Sequence, residues 1–285
     1  MSFTTVIEPA EVARHLGDPR WVFVDCRFDL ANPNAGYQQY RSGHIPGARY
    51  AHLNQDLSGP ITPSTGRHPL PPLEEFARRL GAWGIDERSQ VIAYDDAGGA
   101  IAARLWWMLH WVGHEAAAVL NGGLKAWLAA GLPLEVDERR PTPATFVARP
   151  RAEQAVTLDE LVPALADRSV VLVDARSADR FAGQNETLDP VAGHIPGARN
   201  HPFMSNLDAE RRFLPAHVLR ERWSKTLADA SADRVVTMCG SGVTACHDLL
   251  ALQIAGFSGA RLYPGSWSEW IRDARRPIAT GSESG

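Results

Sequence analysis

A cysteine followed by Gly-Ser-Gly and then by a helix-forming stretch has the makings of a nucleophile. In this 285-residue chain, Cys239-Gly240-Ser241-Gly242-Val243-Thr244 follows directly on the apolar run Val235–Met238. The two glycines let the loop curl, so that its backbone N–H groups and the start of the next helix converge on one point. Such a nest favours an anion, and the thiolate is the attacking form of a cysteine. An inert cysteine ahead of a helix is the bland alternative, and the flanking glycines weigh against it. Cys246, two helical turns on, reads as core, and Cys26 sits at a strand end, so both read as structural. Three cysteines cannot build a disulfide framework, and their odd count fits a reducing cytoplasm.

Rival chemistries fail on spacing. Gly240-x-Gly242-x-x-Ala245 formally matches a dinucleotide fingerprint, but that motif wants an acid about 20 residues on. Gly259-Ala260-Arg261-Leu262-Tyr263-Pro264 supplies none. A cysteine phosphatase needs Cys-x5-Arg to clamp a phosphoryl group, and Ala245 stands at the arginine position. No His, Cys or carboxylate cluster has metal-ligand spacing, so neither a metal nor an organic cofactor is expected.

The elements that must position this loop come in two copies. A length of 285 residues suggests about two domains, and motifs recur roughly 150 residues apart. Val22-Phe23-Val24-Asp25-Cys26-Arg27 answers to Val171-Leu172-Val173-Asp174-Ala175-Arg176. Gly43-His44-Ile45-Pro46-Gly47-Ala48-Arg49 recurs unchanged as residues 193–199. Short apolar runs at Val22–Asp25, Val91–Tyr94, Ala117–Leu120, Val170–Asp174, Val235–Met238 and Arg261–Tyr263 read as buried strands. Amphipathic stretches at Leu73–Trp83, Ala100–Val112, Leu124–Ala130, Leu158–Ala166, Ala216–Leu227 and Thr244–Ala255 read as helices. Alternation of the two predicts α/β domains with mainly parallel sheets flanked by helices. Pro141, Pro143 and Pro150 among charges mark an extended linker. The expected division is 1–135, a linker 136–153, and 154–285.

Net charge is −4, which gives no global reason to bind nucleic acid. No apolar run approaches the 20 or so residues of a membrane span, and Met1–Pro9 lacks the pattern of a signal peptide.

The duplication separates scaffold from chemistry. Asp25 with Arg27 and Asp174 with Arg176 occur in both halves, so they read as structural pairs. His44 and His194 belong to a repeated turn in which Pro fixes the backbone and Gly permits a positive φ, and they read as turn histidines. The difference lies after the strand at Val235–Met238: the second half has Cys239 where the first has Asp95. The first copy therefore reads as non-catalytic.

These residues resemble the rhodanese-type sulfurtransferases in their tandem-domain form, over about Thr5 to Pro277. Tyr40-x-x-x-His44-Ile45-Pro46-Gly47-Ala48 looks like the family's first signature, and Ala260-x-x-Tyr263-Pro264-Gly265-Ser266-Trp267-x-Glu269-Trp270 like its second. The resemblance implies two tandem rhodanese-like domains, a catalytic Cys239 that carries sulfur as a persulfide, and a site between the domains. A Gly-Ser-Gly loop implies 3-mercaptopyruvate as the donor, because thiosulfate-preferring members place basic residues there. Gly240, Ser241, Gly242, Val243 and Thr244 would bind the substrate, and Arg180 would hold the donor's carboxylate. The second arginine that mercaptopyruvate enzymes often carry is not found in Gln184-Asn185-Glu186-Thr187-Leu188-Asp189. A serine–histidine–acid relay is also implied, for which Ser241 and His44 are the matching positions. Asn32-Pro33-Asn34 offers no acid to complete it. The acceptor would be cyanide, a small thiol or a thioredoxin-like protein. Thiosulfate:cyanide transfer remains the alternative enzyme, and a redox-sensing or partner-binding module the alternative outside catalysis.

Overall fold

The computed structural model describes residues 2–282. The chain forms two compact units that are not simple halves of the sequence. One comprises the residues through Gly59, Leu70–Arg151 and Ala209–Phe213; the other comprises Pro60–Pro69, Ala152–Asp208 and the chain from Leu214 onward.

The first unit holds strands β1 (Val6–Ile7), β2 (Trp21–Asp25), β3 (Arg49–Tyr50), β4 (Gln90–Tyr94) and β5 (Ala117–Leu120) in the order β1-β5-β4-β2-β3. Every pairing is parallel. Helices α1 (Pro9–Ala13), α2 (Ala35–Ser42), α3 (Leu73–Ala82), α4 (Ala102–Trp111) and α5 (Gly123–Ala129) accompany them. The second unit repeats the plan with β6 (Val171–Asp174), β7 (Arg199–Asn200), β8 (Val235–Met238) and β9 (Arg261–Leu262), in the order β7-β6-β8-β9 and again parallel. Its helices are α6 (Leu158–Ala166), α7 (Ala178–Phe181), α8 (Ala216–Leu227), α9 (Ala245–Ile254) and α10 (Ser266–Trp270).

The six strands read from apolar runs are present, two with the same ends and four with one end shifted by a residue. The edge strands β1, β3, β7 and β9 have only two residues each, and of these only β9 stands among the strands read from the sequence. Buried apolar side chains account for the layering: Leu172, Val236, Met238, Tyr263, Trp267 and Trp270 belong to one core in the second unit. Helix α9 is buried from Ala245 through Leu252, which explains why its sequence is apolar on nearly all sides.

The repeated Asp-x-Arg motifs are structural in both units. Arg27 pairs with Asp25 and donates to Gly43 O at 2.8 Å; Arg176 pairs with Asp174 and donates to Gly193 O at 2.8 Å. Each motif therefore ties a central strand end to the start of the repeated turn. In that turn Gly47 and Gly197 have φ of +79° and +82°, the left-handed backbone for which glycine is suited. The proline-bearing stretch after Glu135 has no regular secondary structure and is held by the first unit, through Ala144 N to Gly81 O at 2.8 Å and Arg149 N to Val112 O at 2.9 Å.

A buried histidine in the second unit makes stability depend on pH. His201 stacks on Trp223 at 3.8 Å, and its nitrogens meet Thr226 Oγ1 at 2.7 Å and Asn206 Oδ1 at 3.0 Å. Burial disfavours its charged form and pulls it from 6.5 down to about 4. Between those values the unfolded chain binds the extra proton and the folded one does not, so stability falls as pH drops through that window, by up to roughly 3 kcal/mol. Urea midpoints measured from pH 7 down to pH 4.5 should fall for the native chain and fall less for His201→Gln. Equal slopes would remove His201 as the cause.

Candidate active site

Strand β8 ends at Met238 beside Asp174 of β6, so Cys239 emerges at the carboxyl edge of a parallel sheet, where such folds gather their chemistry. The first turn of α10 holds the loop in place. Cys239 N donates to Ser266 Oγ at 3.1 Å, Trp267 N donates to Cys239 O at 3.0 Å, and Ser268 N donates to Gly240 O at 2.9 Å. Inside the loop, Gly242 N donates to Cys239 Sγ at 3.2 Å. That contact requires Gly242 to adopt φ +76°, with its Cα turned against the carbonyl of Pro264.

The first unit shows what such a loop can hold. Asp95 occupies the place of Cys239, and its carboxylate accepts N–H groups from Ala97 (2.9 Å), Gly99 (2.8 Å), Ile101 (2.8 Å) and Ala102 (2.9 Å). A loop at this place in the fold can therefore satisfy a carboxylate with backbone N–H groups alone. By sequence position Ser241, Val243 and Ala245 correspond to Ala97, Gly99 and Ile101, whereas the amide that reaches Cys239 Sγ is that of Gly242. Val243 is buried and Thr244 is the residue that caps α9. Beneath the loop, Asp248 is wholly buried and accepts from Asn206 Nδ2 at 2.8 Å. Burial, then the charge of Cys239, pushes its carboxyl well above the usual range.

Arg180 lies at this loop and is not a solvated surface residue. Its Nη2 comes within 3.5 Å of where a side chain on Gly240 would begin. It is fastened to Glu186, with Nε at 3.0 Å and Nη2 at 2.9 Å from the two oxygens, and to Asp189 at 3.3 Å. The structure thus brings Cys239, Gly240, Ser241, Gly242 and Arg180 together.

Ser241 and His44, expected as relay partners, each pair with another residue. Ser241 Oγ meets His68 Nδ1 at 2.7 Å, both residues buried. His44 belongs to the other unit, where its Nδ1 meets Tyr40 O at 2.8 Å and its ring stacks on Tyr40 at 4.0 Å. His194 does the same with Phe181, at 2.8 Å and 3.7 Å. The two turn histidines thus make matching contacts, one carbonyl and one aromatic ring each.

Sequence reading also missed Arg67 and Asp189. Arg67 forms an ion pair with Asp189, and its Nη2 lies 3.0 Å from the side-chain position of Gly240. Arg67 and His68 sit in a proline-rich loop of the first half that the second half lacks. The greater spacing there, between the repeated turn and the next strand, was the one signal that could have found them.

With this geometry in view, kinship is plain. The rhodanese-like domain family matches residues 8–130 and 157–273. The chain belongs to the rhodanese-like family, with two copies of its domain, and it is a sulfurtransferase. It is 48% identical to a probable 3-mercaptopyruvate sulfurtransferase of Pseudomonas aeruginosa, over 99% of this chain and 100% of that one. It is 37% identical to a putative thiosulfate sulfurtransferase of Mycobacterium tuberculosis, over 97% of each. Among solved structures, a 3-mercaptopyruvate sulfurtransferase from Leishmania major superposes with a TM-score of 0.87 at 37% identity, covering 96% of this chain and 76% of that one. Among the described residues, no helix is long and apolar enough to cross a membrane.

Proposed function

We propose that this chain transfers sulfur from 3-mercaptopyruvate through a persulfide on Cys239. The observation that carries the reading is the position of Cys239 Sγ, which accepts the Gly242 amide in a loop whose twin holds a carboxylate. The thiolate attacks the donor's sulfur and an S–S bond forms. The donor's C–S bond breaks, its electron pair passes to carbon as the enolate of pyruvate, and a proton then gives pyruvate. The outer sulfur of the persulfide lies among loop amides that are preorganised for negative charge. Ser241, held by His68, places a hydroxyl beside the reacting atoms. Arg180 takes the donor's carboxylate, for which a guanidinium fork is suited.

An acceptor then attacks the outer sulfur and returns the thiolate, which predicts ping-pong kinetics. Cyanide, a small thiol or a thioredoxin-like protein would serve as that acceptor. Three free, buried cysteines fit a reducing compartment, and we place the protein in the cytoplasm. The Gly-Ser-Gly loop supplies no cation of its own, and the single carboxylate of mercaptopyruvate matches the Arg180 fork beside it.

Comparing kcat/KM for the two donors on one preparation tests the reading; a preference for thiosulfate would reverse it. Arg180→Ala should lower kcat/KM for mercaptopyruvate on the order of a hundredfold, as expected for removing a charge-assisted contact. The loss should exceed that for thiosulfate, and equal losses would deny Arg180 the carboxylate.

A further inference from the structure

We infer that Arg67 supplies a second guanidinium for the donor's carboxylate, so that Arg67 and Arg180, joined by Asp189 beside Gly240, set the preference for a small 2-oxo carboxylate donor. The inference rests on the sulfurtransferase reading above and adds a residue to it.

Three observations carry it. The first is the direction of the charges. Asp189 and Glu186 have side chains only 2% exposed, whereas Arg67 and Arg180 are 27% and 19% exposed. The carboxylates lie behind and the cations in front. A donor therefore meets two guanidinia before it meets either acid.

The second is the supply of unused donors. Arg180 spends Nε and Nη2 on Glu186 and Asp189, and Arg67 spends Nη1 on Asp189. Arg180 Nη1 and Arg67 Nε and Nη2 have no hydrogen-bond partner among the described residues. A guanidinium presents five N–H donors in a rigid fork, so the pair can take both oxygens of one carboxylate without releasing Asp189.

The third is position. Arg67 Nη2 and Arg180 Nη2 lie 3.0 and 3.5 Å from the place where a Gly240 side chain would start. Gly240 directly follows the nucleophile. In mercaptopyruvate two carbons separate sulfur from carboxylate, which lets one small molecule span from Cys239 to both guanidinia.

The loop that carries Arg67 is fastened in advance. Its backbone N donates to Ser268 Oγ at 3.0 Å, and Arg272 Nε donates to Thr65 O at 3.1 Å. Ser268 also holds Gly240 through its own amide, so Arg67 and the cysteine loop share one anchor. Burial and the neighbouring Arg180 cation lower the pKa of Arg67, while the charge of Cys239 raises it. An incoming carboxylate relieves the repulsion between the two cations.

The experiment compares the native chain with Arg67→Gln and Arg67→Lys, using 3-mercaptopyruvate, thiosulfate, and pyruvate as a competitive product. Arg67→Gln should raise KM for mercaptopyruvate and the inhibition constant of pyruvate by a similar factor, about tenfold or more. The KM effect should exceed the kcat effect, and the loss for mercaptopyruvate should exceed that for thiosulfate by at least about tenfold. Arg67→Lys keeps the charge without the fork and should fall between. Unchanged pyruvate inhibition, or parallel losses with both donors, overturns the inference. Should Arg67→Gln fail to fold, the pyruvate constant of Arg67→Lys decides alone: a rise supports the inference and no change overturns it. A native chain that uses mercaptopyruvate while Arg67→Gln behaves identically sinks only the role of Arg67. A native chain inert toward mercaptopyruvate sinks the donor assignment and this inference together.

Discussion

Cys239→Ser is expected to lose sulfur transfer with either donor, by a factor on the order of 10⁴ to 10⁶, as when other enzymes lose their nucleophile. A hydroxyl can accept the Gly242 amide, so the loop should keep its shape. It cannot form and release a persulfide, so the first displacement fails. Neither remaining thiol is a ready substitute. Cys26 and Cys246 are wholly buried, with Sγ directed to Val24 O at 3.8 Å and Gly242 O at 3.4 Å. Burial pushes the Cys26 thiol far up, away from its nucleophilic form. Mass spectrometry after exposure to mercaptopyruvate should find one added sulfur on Cys239 in the native chain and none in the variant. Normal turnover by Cys239→Ser would end the persulfide reading.

Gly242→Ala should cost nearly as much by a different route. At φ +76° an alanine is strained, by about 1–3 kcal/mol for residues held in such regions. Its Cβ would also strike the Pro264 carbonyl, with the Cα of Pro264 at 2.9 Å. The obstacle is backbone and cannot swing aside, so the loop must move, and the amide that reaches Cys239 Sγ moves with it. Misplacing a reacting group by about an ångström can cost 10²-fold in rate. We expect a loss of at least about that size in kcat/KM, with a lower melting temperature. Gly240→Ala is the contrasting case, because its nearest neighbour is the end of the flexible Arg67 side chain at 3.0 Å. It should melt close to the native chain and weaken donor binding. Equal damage from both substitutions would show that the strained backbone of Gly242 is not special.

The duplication, the strand-helix alternation and the identity of the nucleophile were legible in the residues themselves. Cys239 stood out because one copy of a repeated loop carries a thiol and the other a carboxylate. Asp95 accepts four loop amides, and Cys239 Sγ accepts the amide of Gly242. Arg180 was nominated through the family resemblance, by its place after the second Asp-x-Arg. The short strands β1, β3 and β7 were not legible, although β9, equally short, was.

The partners of the loop were decided by tertiary structure. Strand ends, turns and curled loops follow from local chemistry: apolar runs seek a sheet, Gly accepts positive φ, and Pro fixes a turn. Those forces act between neighbours in the chain, so one sequence contains them. His68 meeting Ser241 and Arg67 meeting Asp189 join side chains more than a hundred residues apart. The segment Pro60–Pro69 belongs to the second unit although it lies in the first half of the chain. Nothing local dictates such an exchange, and so the sequence named the nucleophile while only the folded chain chose its histidine and its second arginine.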